Sequence, residues 1–166
     1  PVAYDNNCIK DELGYIENQS KLSKNLKNFY NKTGIQPYIY LKSYDDSLVN
    51  DQQKDEYAQK WYEENIDNED TFLLVYYEDL NQNEIGYMSY VNGKQVTSIM
   101  DSEAIDILWG YFQKNYYNTS LSIEKMISET FSATGENIMS APTNGWDFAK
   151  IAIIVGGVVG IGRSEE

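Results

Sequence analysis

A run of seven apolar and β-favouring residues, Thr71–Tyr77, constrains the fold of this chain more than any other stretch. The run has no alternation of polar and apolar residues, which is typical of a strand buried on both faces of a helix-covered sheet. An acidic turn follows it, and residues 85–91 then alternate in character, as expected of a hairpin partner. Asn92 and Gly93 break this second strand, and Asp101 begins a helix. We therefore expect the functional part of the chain within this segment.

The residues before this segment predict a helix and then a strand. Asn18 or Ser20 can cap a helix whose apolar face recurs at helical spacing. Gly34 stands where a left-handed C-terminal cap is needed. Residues 35–41 follow directly as a strand, and Pro37 indicates that they lie at an edge or that the proline lies near the strand's start, because proline donates no ladder hydrogen bond. Residues 8–16 show little period, so we expect a structured loop there.

Three further helices are predicted, over residues 51–66, after Asp101, and from about Ser122. The helix after Asp101 is apolar almost all round and is expected to be largely buried. The order helix, strand, helix, strand, strand, helix, helix contains one strand–helix–strand crossover and one hairpin. It predicts an α/β fold in which a mixed β-sheet is sandwiched between α-helices, as one domain over residues 1–140.

Composition excludes several classes of function. The chain of 166 residues has 13 basic and 26 acidic side chains, a net charge of −13, so its surface repels nucleic acid. It contains no His and a single Cys, Cys8. Histidine-dependent nucleophiles, His-ligated zinc, intrachain disulfides and Cys-cluster metal sites are thereby excluded. A bound metal would have oxygen ligands, which favours Ca²⁺ or Mg²⁺.

The composition changes abruptly after Pro142. Residues 151–162 are uncharged and apolar and rich in glycine, but a membrane span needs about 20 such residues. Two interpretations compete: the first half of a truncated transmembrane helix, or a short buried or disordered tail. We favour the first for residues 141–166, because a soluble domain gains little from such a tail.

Acidic residues in loops are the candidates for a metal site. Asp45, Asp46 and Asp79 follow predicted strands, and ligands usually bind beyond the carboxyl ends of parallel strands. Asp11 has no turn or cap role visible in the sequence, so it has the strongest functional claim of the set. Asp101 is expected to cap a helix first and to bind metal second.

Four segments arrive in an order and spacing that resembles the TPM domain family, namely residues 10–16, 32–38, 71–75 and 99–104. That family includes thylakoid-lumen and photosystem II repair proteins and bacterial membrane-anchored relatives. The resemblance covers roughly residues 8–139. It implies an α/β sandwich, membrane attachment and, in some members, divalent-metal binding and acid-phosphatase activity.

The family's recurrent acidic positions correspond to Asp11 and Asp101. The chain departs from the family in residues 90–96, which keep one glycine and no acid where members commonly have a glycine-rich, glutamate-containing stretch. That departure weakens the implied metal site and the implied phosphatase activity.

Three functions follow as hypotheses. The first is an extracytoplasmic, membrane-tethered binding or assembly module with a membrane or cell-surface protein partner. The second is a metal-dependent, acid-phosphatase-like hydrolase, for which Lys10 and Lys94 are the only basic neighbours of the acidic loops. The third is a domain stabilised by Ca²⁺ without turnover. We rank the binding module first.

Overall fold

The computed structural model describes residues 1–80 and 86–140 and the backbone of residues 161–163. The strands are β1 Ile9–Asp11, β2 Gln36–Lys42, β3 Thr71–Tyr77, β4 Met88–Asn92 and β5 Ile161–Arg163. The helices are α1 Gln19–Thr33, α2 Asp51–Asn65, α3 Ser102–Tyr116 and α4 Ile123–Ile138.

The strands form one mixed sheet in the order β1-β2-β3-β4-β5. β1, β2 and β3 run parallel, with Ile39 of β2 opposite Ile9 on one side and Leu74 on the other. β4 is antiparallel to β3, as the predicted hairpin requires, and β5 is antiparallel to β4. Helices cover both faces, so the predicted α/β fold with a three-layer sandwich is confirmed.

The two faces of the sheet have separate hydrophobic cores because successive side chains of a strand point to opposite faces. Phe72 and Leu74 of β3 pack on one face beneath α1, α3 and α4. Leu73 and Val75 pack on the other face beneath α2. An unbroken apolar strand is the expected consequence of cover on both sides.

The helix ends follow the capping chemistry expected from the sequence. The N-caps, whose side chains each accept a backbone N–H three residues further on, are Asn18, Asn50, Asp101 and Ser122. Gly34 ends α1 with φ of 74° and donates its N–H to the carbonyl of Tyr30 at 2.7 Å. The predictions of the Asn18 cap and the left-handed Gly34 are therefore confirmed.

The predicted loop over residues 8–16 is wrong in its first part, because Ile9–Asp11 forms β1. Ile39 donates its N–H to the carbonyl of Cys8 at 2.9 Å, and Glu12 donates its N–H to Leu41 at 2.9 Å. Three residues are too few to show an alternating pattern, so only pairing with β2 defines the strand.

Pro37 lies at the start of an interior strand. It is the second residue of β2, and β1 pairs with β2 only from Ile39 onward. The proline therefore precedes the ladder on that side, where its missing N–H removes no hydrogen bond.

The predicted near-complete burial of the helix after Asp101 is also wrong. In α3, the buried side chains are Ala104, Ile105, Leu108 and Phe112. Trp109 is only partly buried because its side of the helix faces an open cleft rather than the sheet.

None of the helices among the described residues is both long and apolar enough to cross a membrane. Of the predicted membrane segment, residues 141–160 and 164–166 lie outside the described residues, and Ile161–Arg163 forms β5. The truncated transmembrane helix stays a prediction.

Candidate functional site

A cleft of about 770 Å³ opens at the carboxyl ends of the parallel strands β2 and β3. Its floor is the sheet face that carries Leu41, Leu74 and Met88, and its opposite wall is the end of α3 and the start of α4. The aromatic side chains that line it are Tyr15, Tyr76, Tyr87, Trp109, Phe112 and Tyr116. A mostly apolar cleft of this size at this end of an α/β sheet is a typical ligand site.

Tyr76 is the residue around which the polar groups of the cleft gather. Burial raises the pKa of its phenol, and the nearby Tyr15, Tyr116, Glu78 and Asp79 act in the same direction. Glu78 and Asp79 therefore lie near the Tyr76 phenol and line the same cleft as Tyr15 and Tyr116. The phenol of Tyr76 stays neutral at physiological pH and offers a ring face and a hydroxyl group to a ligand.

Trp109 provides a hydrogen-bond donor without an acceptor. Its ring packs near Tyr90 and Phe112, with centroid distances of 6.2 Å in each case. Its buried Nε1 has no acceptor among the described residues. A buried donor without an acceptor costs about 1–3 kcal/mol.

The charged residues of the cleft carry a net negative charge. Asp51, Glu78 and Asp79 line it, against one described lining base, Lys54. The Lys54 ammonium lies 5.8 Å from the centroid of the Tyr77 ring and is also above the Tyr87 ring. Three carboxylates against one ammonium favour a cation over an anion at this rim.

The carboxylate of Asp11 closes the turn that follows β1. Its Oδ1 accepts the N–H of Leu13 at 2.9 Å, and its Oδ2 accepts the N–H of Ile16 at 2.7 Å. Both oxygens are therefore engaged by the backbone, and the side chain has the structural role that the sequence did not reveal.

Asp45, Asp46 and Asp79 all follow strands at the carboxyl end of the parallel ladder, as predicted. Asp45 Oδ1 accepts the N–H of Ser47 at 2.9 Å and its hydroxyl at 2.6 Å. These hydrogen bonds, with a smaller contribution from the charge of Lys42, lower the pKa of Asp45. Asp46 is exposed in the same loop, and Asp79 is the only one of the three that lines the cleft.

Asp101 lies at the other end of the sheet. Its Oδ1 accepts the N–H of Ala104 at 2.9 Å and caps α3. The preceding carbonyl, that of Met100, accepts a hydrogen bond at 2.9 Å from Asn92, which pairs with Phe72 near the amino end of β3. Asp101 therefore cannot share a ligand with the acids at the carboxyl ends.

The five predicted metal ligands are thus not brought together. Within residues 1–80 and 86–140, no group of three or more His, Cys, Asp or Glu side chains could hold a metal ion. Binding of Ca²⁺ or Mg²⁺ stays a prediction.

Lys42 is a base that the sequence interpretation missed, and the expectation that Lys10 and Lys94 are the only basic neighbours of the acidic loops is wrong. Lys42 is the last residue of β2 and only 8% exposed. Its Nζ lies 3.9 Å from Glu12 and 3.8 Å from Asp45. The sequence feature that could have identified Lys42 is a single lysine at the end of an otherwise apolar strand.

Glu12 connects three elements around this lysine. Its Oε1 accepts the N–H of Ser43 at 3.1 Å, and its Oε2 accepts the hydroxyl of Tyr40 at 3.1 Å. Tyr40 in turn shares a hydrogen bond of 3.0 Å with Tyr57 of α2. Partial burial raises the pKa of Glu12, but these hydrogen bonds and the charge of Lys42 outweigh burial and lower it overall. The cluster joins β1, β2 and α2 and lies on the α2 face, away from the cleft floor.

Comparisons with known proteins identify the fold but no family. No family model matches the chain, and no curated protein matches it significantly. Similar solved structures include the N-terminal domain of a protein from P. gingivalis, with a TM-score of 0.56, 12% identity, and coverage of 84% of this chain and 88% of that one. The N-terminal domain of the cg2496 protein from Corynebacterium glutamicum has a TM-score of 0.56, 10% identity, and coverage of 87% and 88%. At such identities the likeness concerns the fold alone.

Proposed function

We propose that this chain is a non-catalytic binding module of the TPM type, tethered to the membrane on its extracytoplasmic side, that binds a protein partner. The observation that carries this proposal is the aromatic cleft at the carboxyl ends of β2 and β3. A segment of the partner would insert apolar side chains between the sheet face and the α3–α4 wall. The apolar residues 151–162 support the membrane tether.

The location and composition of the cleft support binding. Ligand sites of open α/β sheets lie beyond the carboxyl ends of the strands, and clefts of about 300–1,000 Å³ accept a small molecule or a few side chains. Tyrosine and tryptophan offer a large contact area at low entropic cost and are enriched in protein interfaces.

The hydrolase alternative receives less support. A metal-dependent phosphatase needs oxygen ligands that converge on one cation, whereas Asp11 is engaged by two backbone N–H groups and Asp101 caps a helix at the other end of the sheet. The acidic rim would also repel a phosphate ester. Binding of Ca²⁺ or Mg²⁺ remains a prediction for a direct titration.

A peptide-display selection against the full chain tests the proposal for the cleft. Selected peptides should lose at least about tenfold in affinity with Tyr116→Ala, because hot-spot aromatics contribute about 2 kcal/mol or more. Tyr117→Ala is the matched control, since Tyr117 is 69% exposed and does not line the cleft. Equal losses in both variants, or no selectable peptide, would contradict a binding role for the cleft.

Flotation with phospholipid vesicles tests the tether. The full chain should float with the vesicles and residues 1–140 should remain at the bottom, because the apolar run lies after residue 140. External protease on intact cells should degrade the domain if it faces outward. Equal flotation of both chains, or protection from the protease, would contradict the tether or its orientation.

A further inference from the structure

We infer that the cleft binds a basic amphipathic peptide segment, one in which an apolar side chain is flanked by Lys or Arg. This inference rests on the proposed binding function and specifies the chemistry of the partner. Two features of the cleft carry it: the charge of its rim and the position of its aromatic rings.

The rim selects for positive charge. Glu78 and Asp79 lie beside the ring of Tyr76, and Asp51 lines the same cleft. The one described lining base, Lys54, has its ammonium over the faces of Tyr77 and Tyr87. With a net charge of −13 over the whole chain, the potential at the rim attracts a cationic segment and speeds its association.

The rings select for a cation joined to an apolar group. Tyr15 is 37% exposed and Tyr116 is 41% exposed, and both line the cleft together with the carboxylates. An ammonium or guanidinium group can contact a ring face and a carboxylate at the same time, which adds about 0.5–1 kcal/mol at exposed sites. The apolar floor of the cleft, which carries Leu41, Leu74 and Met88, can contact the apolar side chain next to that cation in the bound peptide. The same carboxylates disfavour a lipid or nucleotide phosphate at this position.

Three capped hexapeptides test the inference on the full chain by fluorescence titration. The first is Gly-Lys-Phe-Leu-Lys-Gly, and the other two replace both lysines with glutamine or with glutamate. We expect saturable binding of the lysine peptide, at least about fivefold weaker binding of the glutamine peptide, and no binding of the glutamate peptide. The preference should shrink as salt is raised, because partly exposed charge pairs are screened.

Variants assign the preference to the rim. Combined Glu78→Gln and Asp79→Asn should reduce the preference for the lysine peptide over the glutamine peptide to about twofold or less. Glu129→Gln changes an exposed acid outside the cleft and should leave all affinities unaltered.

The outcomes separate the two proposals. If the glutamine or glutamate peptide binds as well as the lysine peptide, the cationic partner is wrong and the binding module stands. If none of the peptides binds, or if binding survives Tyr116→Ala, both the inference and the proposed use of the cleft fail. A lysine preference that survives the double rim variant also overturns the inference.

Discussion

Glu12 and Lys42 stabilise the carboxyl end of the sheet through contacts that are far apart in sequence. The Glu12 carboxylate accepts hydrogen bonds from Ser43 and Tyr40 and lies near the Lys42 ammonium. Lys42 also lies 4.9 Å from the centroid of the Tyr57 ring, which belongs to α2. Buried charges are tolerated when they are paired and hydrogen-bonded, so each partner depends on the others.

Glu12→Gln should lower the free energy of unfolding by about 1–2 kcal/mol at pH 7, because a charge-assisted hydrogen bond and an ion pair are lost. The folded-state pKa of Glu12 is lowered. Its contribution is therefore complete above the unfolded-state pKa of about 4.3 and is lost as the pH falls through the folded-state value. Urea denaturation followed by circular dichroism at pH 7 and at pH 3 measures the difference.

Glu17→Gln is the control for this prediction, because Glu17 is an exposed acid before α1. It should change stability little at either pH. A loss for Glu12→Gln that is as large at pH 3 as at pH 7 would show that charge is not the cause.

The thiol of Cys8 should be inert in the folded protein. Cys8 is fully buried, and burial raises the pKa of its thiol. Since the thiolate is the reactive species, we expect labelling by a disulfide reagent to be at least about 100-fold slower in buffer than in concentrated urea. Equal rates measured by absorbance would mean that the amino-terminal segment opens readily.

At the scale of elements, the connector after β4 packs tightly against its neighbours. Of the glycines that the structure describes, Gly93 in this connector leaves the least room for a Cβ. A Cβ on Gly93 would lie 2.5 Å from the Tyr62 hydroxyl oxygen and would overlap the carbonyl of Glu69. The N–H groups of Gly93 and Gln95 donate to Thr71 and Glu69 at 2.9 Å each. The connector is therefore held directly against the start of β3.

Gly93→Ala should destabilise the fold by about 2–4 kcal/mol, because the backbone must move to relieve the overlap. Gly110→Ala is the matched control, since a Cβ there meets no atom within 4 Å and lies within α3. It should stabilise by about 0.5–1 kcal/mol through helix propensity. Thermal denaturation of both variants measures the contrast, and equal effects would contradict the packing explanation.

For the molecule as a whole, the described buried residues of both hydrophobic cores precede the carboxyl-terminal segment. The buried residues of the two clusters all lie between Cys8 and Phe131. β5 adds the three residues Ile161–Arg163 to the edge of the sheet. Residues 1–140 therefore contain the described apolar core, whose burial favours folding.

A chain of residues 1–140 should unfold in one cooperative transition, with a loss of less than about 2 kcal/mol relative to the full chain, because it keeps the described buried residues of both cores. Calorimetry of both chains, with vesicles or detergent present for the longer one, checks this. A shorter chain without a cooperative transition would show that the boundary at residue 140 is wrong.

Local sequence patterns predicted most elements of the fold. Helix caps and side-chain periods act over three or four residues, so the Asn18 cap, the Gly34 end and the buried strand Thr71–Tyr77 could be recognised without tertiary information. The mixed sheet with helices on both faces followed from the order of elements. β1 could not be recognised because its strand character exists only through pairing with β2.

The candidate site depended on tertiary structure, because periodicity does not encode which strands become neighbours. Asp11 and Asp101 were both predicted metal ligands, yet the antiparallel direction of β4 carries the chain back and puts Asp101 at the opposite end of the sheet. Tyr15, Tyr76 and Trp109 meet only because a loop, a strand and a helix converge on one cleft. Such contacts are set by sheet order and helix packing, which are properties of the whole fold.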